Sequence, residues 1–220
     1  MQRLRDHEIF EMTMLQWLRS KPFLGSLAFG GGTMLRLCHE LPRFSLEMGF
    51  CFFKEQDYER FYNRLYHALS QDYDVTCTQN NHESILVEIR REPRMPKFEI
   101  EIRKTLAPPG STEEKIAFSS YFPTQVLVRG FTLQKTLVNT VQAVIDSGGI
   151  QDTFDLEFLV QKGVALNLSK EQRGKVMRRL KGFKKKDLDV KLGSILLPEV
   201  RDYYKRQGFA YLEQILSSEK

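Results

Sequence analysis

Cysteine is scarce in this chain, with three residues in 220, at Cys38, Cys51 and Cys77. They are too few and too scattered for a disulfide framework, and none belongs to a Cys-x-x-Cys pair. The four histidines, His7, His39, His67 and His82, lack metal-ligand spacing, which excludes the common zinc sites. No apolar run approaches the ~20 residues that span a bilayer. Residues 1–8 hold no apolar segment of signal-peptide type, so a cytoplasmic location without membrane partners is expected. No internal repeat or low-complexity tract is present. An acidic balance is missing too. The net charge is +5, which is compatible with a nucleotide or nucleic-acid partner.

What is present is an ordinary globular composition, 41% hydrophobic and 28% charged. The length suits one substantial core, or a core and a smaller helical domain. Residues 3–20 have helical periodicity, with Ile9, Phe10, Met14, Trp17 and Leu18 on one face, and Lys21-Pro22 ends that helix. Strands are expected at 23–29, 48–53, 73–78, 84–90 and 97–104, and helices at 31–40 and 55–70. Residues 79–82, Gln-Asn-Asn-His, suit a hairpin turn. Beyond Tyr121-Phe122-Pro123 the pattern is wholly helical, with helices at 132–146 and 152–162, a third beginning at Ser169, and one or two within 197–216. The expected domains are therefore 1–125 and 126–220. The basic run from Lys175 to Lys186 has a simple reading as a solvated helix face.

The chain is organised around residues 26–37, a short apolar stretch followed by Gly30-Gly31-Gly32-Thr33 and an amphipathic helix. Glycines at a strand-to-helix turn admit a ligand close to the backbone, and the helix start presents free N–H groups suited to phosphate. A plain tight turn has the same appearance. Ten residues further on stands Arg43-Phe44-Ser45-Leu46-Glu47-Met48-Gly49-Phe50. Alternation places Glu47, Gly49 and Cys51 on one face of the strand. In 97–104, Phe98, Ile100 and Ile102 face one way and Glu99 and Glu101 the other, as in any amphipathic strand with a solvated face.

The order Gly-Gly-Thr, helix, Arg-Phe-Ser and strand acids resembles the AbiEii/AbiGii toxin family of the nucleotidyltransferase superfamily. That family carries Gly-Gly-Ser/Thr, Arg-Phe-Ser and Asp-x-Asp-Phe. The resemblance covers roughly residues 20–165. It implies an α+β nucleotidyltransferase-fold core, with a mixed β-sheet flanked by helices, followed by a C-terminal helical domain. A nucleotide would lie over Gly31, Gly32 and Thr33, with Arg43 and Ser45 beside it. Glu47 and either Glu99 or Glu101 would hold Mg2+, with Glu101 favoured because it lies deeper in its strand. The implied activity transfers a nucleotide from an NTP to RNA such as tRNA, under restraint by a separate antitoxin. Two divalent cations normally activate the acceptor hydroxyl and stabilise the leaving pyrophosphate.

The chain departs from the pattern where that chemistry sits. Glu47 stands at the first motif aspartate and Gly49, which offers no ligand, at the second. A second family signature has a lysine, then an arginine, then Arg-Asp-x-x-Asp-Leu. Asp152-Thr153-Phe154-Asp155-Leu156 matches its acidic part, and Asp155 would assist at the acceptor. Asp152 and Asp155 also suit a helix start by charge alone. Thr140, Ser147 and Gln151 replace the cations. The resemblance thus implies either a transferase with a degraded site or a non-catalytic pseudoenzyme that binds nucleotide, RNA or protein.

Overall fold

The computed structural model describes residues 1–90 and 97–218. The chain divides into two compact units. One comprises Met1–Glu40 and Ser45–Phe131, and the other Leu41–Phe44 with the chain from Thr132 onward.

The first unit is a seven-stranded mixed sheet flanked by helices, with strand order β3-β4-β5-β2-β1-β7-β6. Its strands are β1 (Leu27–Gly30), β2 (Glu47–Phe52), β3 (Asp74–Asn80), β4 (Ser84–Arg90), β5 (Phe98–Leu106), β6 (Thr112–Ala117) and β7 (Val126–Phe131). β1–β7 and β2–β5 are the parallel pairs; the other neighbours are antiparallel. The helices are α1 (Gln2–Ser20), α2 (Gly31–His39) and α3 (Tyr58–Asp72). Period-2 alternation supplies the core, with Ile85, Val87 and Ile89 of β4 and Phe98, Ile100 and Ile102 of β5 all buried. α3 starts where the Asp57 carboxylate accepts the Arg60 N–H and buries Phe61, Leu65 and Leu69.

Three expectations are corrected. Only Leu27–Gly30 of the apolar 23–29 run is strand. Phe23–Ser26 is a single 3-10 turn whose Phe23 ring packs on Trp17 and Phe61. A short apolar run carries no period that separates these states. The turn after β3 lies at residues 81–83, and the Asn81 side chain accepts the Glu83 and Ser84 N–H groups at 2.9 and 2.8 Å. The chain beyond Pro123 is not wholly helical, because β7 pairs in parallel with β1 at Phe29 and Gly130, and β6 flanks it. Such pairing joins residues a hundred positions apart, so local pattern does not announce it.

The second unit is helical: α4 (Leu133–Asp146), α5 (Ile150–Gln161), α6 (Lys170–Gly182), a π-helical stretch at Asp187–Leu192, α7 (Pro198–Gln207) and α8 (Ala210–Ser218). Thr132 caps α4, Ser169 and Gln172 form a full capping box on α6, and Pro198 opens α7. α4 closes at Ser147-Gly148, with Gly148 at φ +65°. Glu157 of α5 is fully buried, accepting the Tyr204 hydroxyl of α7 at 2.8 Å and the Leu212 N–H of α8 at 3.0 Å. One carboxylate thus gathers three helices. No helix among the described residues is long and apolar enough to cross a membrane.

Candidate functional site

In the sheet unit the site begins where β1 runs into α2. Gly30 is the extended residue before the helix, and a Cβ there would lie 2.9 Å from the Phe131 ring, so packing demands glycine. Gly31 has φ +72°, which demands it for conformation. Gly31 is exposed, Gly32 half-buried, and no side chain caps the first amides of α2. A helix start of this kind suits an anion. Thr33 is placed differently from its two neighbours. It is fully buried, its hydroxyl donates to the Glu47 carbonyl, and the Glu11 carboxylate lies 3.4 Å away. It fastens the helix start to β2.

Strand register brings the acids together. Glu47 pairs with Glu99, and Gly49 lies between Gly30 of β1 and Glu101 of β5. Glu47, Gly49, Glu99 and Glu101 therefore share one face of adjacent strands. Burial first, then the charges of Glu47, Glu101 and Glu88, push the Glu99 carboxyl above its ordinary range. Glu101 lies 3.7 Å from Arg103, and Glu88 is drawn to Lys97 at 2.6 Å. Magnesium requires converging oxygens in near-octahedral array. Gly49 provides none, and among the described residues no three His, Cys, Asp or Glu side chains could hold a metal ion. The donors present do not fit a pair of divalent cations. The backbone nevertheless leaves room, since a Cβ on Gly49 would meet only the Gly30 carbonyl, at 3.8 Å.

Behind this face lies a buried polar cluster that sequence reasoning missed. Glu8 of α1 accepts Arg36 of α2 at 2.8 Å and the Ser119 hydroxyl at 2.6 Å. His7 lies 3.7 Å from Glu11 and against the Phe98 ring, and burial lowers its pKa. The available signal was three polar residues, His7, Glu8 and Glu11, among the apolar positions of α1.

In the helical unit, Arg43 and Asp155 meet. The Arg43 guanidinium grips the carboxylate through two bonds of 2.6 Å, with both residues under 5% exposed. Burial pushes the Asp155 carboxyl up, and Arg43 opposes it. The segment is fixed further by Phe44 N–H to the Ile195 carbonyl at 2.8 Å and Leu197 N–H to the Pro42 carbonyl at 3.0 Å. Arg43 is thus an internal strut of the helices in this structure. Asp152 is half-buried at the start of α5, accepts from Ser147 at 3.2 Å, and has its carboxyl raised chiefly by burial. Thr140 and Ser147 carry no charge there, and Lys162 sits over the Phe158 ring. Ser45 lies half-buried in the loop before β2.

Comparison with solved structures finds this fold elsewhere. JHP933 from Helicobacter pylori is 18% identical over 94% of this chain and 91% of its own, with a TM-score of 0.51. An antigenic nucleotidyltransferase-like protein from Paracoccidioides brasiliensis is 15% identical over 90% of this chain and 97% of its own, also at 0.51. At these identities the likeness establishes the nucleotidyltransferase fold alone. No curated protein matches the chain. The family model described as the nucleotidyl transferase AbiEii toxin, type IV toxin–antitoxin system, matches residues 15–207, past the last motif and through α7. With glycine turn, Arg-Phe-Ser segment, acid-bearing strands and the helical unit as far as α7 inside that match, the chain belongs to the AbiEii nucleotidyl transferase toxin family.

Proposed function

We propose that this protein is a nucleotide-binding member of its toxin family in which nucleotidyl transfer to RNA is severely impaired. The phosphates of an NTP lie against the α2 start at Gly31 and Gly32, with Ser45 nearby on the approach to β2. In the family reaction an RNA hydroxyl, of tRNA for example, attacks the α-phosphorus, forming the new ester bond as the bond to pyrophosphate breaks. Glu47, Glu99 and Glu101 are the carboxylates left to serve it. Thr33 acts through the Glu47 backbone, and Arg43 through Asp155, as positioning residues. A separate antitoxin is the partner that toxin–antitoxin membership suggests.

The observation that carries this reading is Gly49: a position on the acid-bearing face, beside Glu101, with space for a carboxylate and none present. Calorimetric titration of the four NTPs, with and without Mg2+, tests it. Binding that does not depend on Mg2+ is expected for the chain as it stands. Gly49→Asp is expected to make binding Mg2+-dependent and to raise incorporation of labelled nucleotide into tRNA. Failure of every NTP to bind sinks the nucleotide reading. Strong Mg2+-dependent transfer by the unaltered chain sinks the claim of impairment.

A further inference from the structure

The helical unit carries the basic excess of the chain. Residues 162–186 include ten lysines and arginines and a single acid, Glu171. Folding accounts for several of these cations. Arg173 donates to the Leu216 carbonyl of α8 at 3.1 Å. Arg179 donates to the Ile145 and Asp146 carbonyls at the end of α4, at 2.8 and 3.0 Å. Lys175 pairs with Glu171 at 2.7 Å. Lys162 lies over the Phe158 ring. Six others remain: Lys170, Arg178 and Lys181 on α6, and Lys184, Lys185 and Lys186 just beyond it. All six are exposed. Among the described residues, no ion pair or side-chain hydrogen bond holds any of them.

Their placement is ordered. Lys170, Gly174, Arg178 and Lys181 follow spacings of four, four and three, so they lie on one face of α6. That row is about 16 Å long at 1.5 Å per residue. The apolar residues Val176 and Leu180 are buried on the other side. Gly174 weakens the helix relative to alanine. A Cβ there would meet nothing within 4 Å and its φ is not left-handed, so neither packing nor conformation requires glycine. What it provides is close approach to the helix backbone between flanking cations. Lys184–186 lie between the C-terminus of α6 at Gly182 and the π-helical stretch at Asp187–Leu192.

We propose that this face binds the phosphodiester backbone of a nucleic acid. The row holds only lysine, glycine and arginine, whose cations suit phosphate oxygens, so the contact rests on backbone charge. A helix lying on an anionic membrane would need an exposed apolar face beside its cations. α6 has none, since its apolar stripe is buried. The proposal requires neither NTP binding nor turnover, and therefore stands or falls separately from the nucleotide reading.

Fluorescence anisotropy of the full chain, with a short hairpin RNA, duplex DNA of the same sequence, and mixed phosphatidylserine vesicles, tests it. Binding to RNA or DNA is expected, with log K falling against log salt at a slope of about −5 for six phosphate contacts on a duplex. The two nucleic-acid arms identify which polymer is preferred. Arg178→Glu/Lys181→Glu and Lys184→Glu/Lys185→Glu/Lys186→Glu should each weaken binding at least about tenfold at low salt and flatten the slope by about one per cation lost. The control Arg3→Glu/Arg19→Glu should stay within about twofold, because screening limits distant charges. Gly174→Leu should weaken binding while the helix melts no earlier, which separates blocked approach from unfolding. Absence of nucleic-acid binding, equal losses in variants and control, or preference for vesicles overturns the proposal.

Discussion

The helical unit and the acid-bearing face of the sheet treat their charges in opposite ways. In the helical unit each deeply buried carboxylate has near-ideal partners: Asp155 holds Arg43 at both nitrogens, and Glu157 accepts from Tyr204 and Leu212. On the sheet face, Glu47, Glu99 and Glu101 stand together on adjacent strands, with Arg103 the nearest cation, 3.7 Å from Glu101. The difference bears on which family motif residues this chain keeps. Arg43, Phe44 and Asp155 hold a fold together, and they match the family. At the two positions where the family pattern has aspartates stand Glu47, which is exposed, and Gly49, which has no side chain to pack. A glycine inside β2 costs roughly 0.5–1 kcal/mol of backbone entropy, whereas losing Asp155 would leave a buried guanidinium without its counter-charge.

The contrast can be broken most severely at that pair. Asp155→Ala is expected to destabilise the protein by about 3–5 kcal/mol in a denaturant melt, because an uncompensated charge remains buried. Arg43→Met combined with Asp155→Leu should recover much of the loss, since a well-packed apolar pair can replace a buried ion pair. A single Asp155→Ala variant as stable as the parent would show the pair to be incidental. Glu157→Ala should cost about 2–4 kcal/mol by leaving a hydroxyl and an amide without an acceptor. If the transition then splits in two, the helices have lost their common hub.

Titration sharpens the comparison from another side. Burial raises the Glu157 pKa above its usual 4.5, although Tyr204 and Leu212 pull it down. An acid raised in the folded state binds its proton more tightly there than when unfolded. Its contribution is complete below pH 4.5 and is lost as pH rises from there through the folded value. Glu157→Gln should therefore gain on the parent between pH 4.5 and neutrality in melting temperature. His7 behaves in the opposite sense in the sheet unit. Its pKa is lowered from 6.5, so stability is full above 6.5 and declines as pH falls below it. His7→Asn should remove that acid-side decline. The smallest expected effect belongs to the acids themselves. Glu99→Gln should stabilise the sheet by about 0.2–1 kcal/mol, by relieving like charges placed directly opposite across strands. A loss of stability on that change would mean that Glu99 already makes a favourable contact.

Much of the architecture was legible in the residues. The helix start at Ser169 and the alternation of β5 are local patterns, and local physics writes them into adjacent positions. β6 and β7 were not legible, because β7 owes its existence to a parallel neighbour in β1. Within the candidate site, register could be inferred only in outline. That Glu47 and Glu99 share a strand face follows from parity, but that Glu99 rather than Glu101 stands opposite Glu47 follows from how β5 slides along β2. The buried state of Thr33 was likewise hidden, since a threonine after glycines reads as a ligand donor until its surroundings are known.

By itself, then, the sequence determined the helices, most strands, the glycine turn into α2 and the glycine at position 49, because each rests on one residue or its near neighbours. Tertiary structure alone decided that Arg43 answers to Asp155, that Thr33 answers to Glu47, and that six cations of α6 and its end remain unengaged. Those outcomes depend on which distant group arrives within about 3 Å, where a hydrogen bond forms, and no local rule of composition or spacing carries that information.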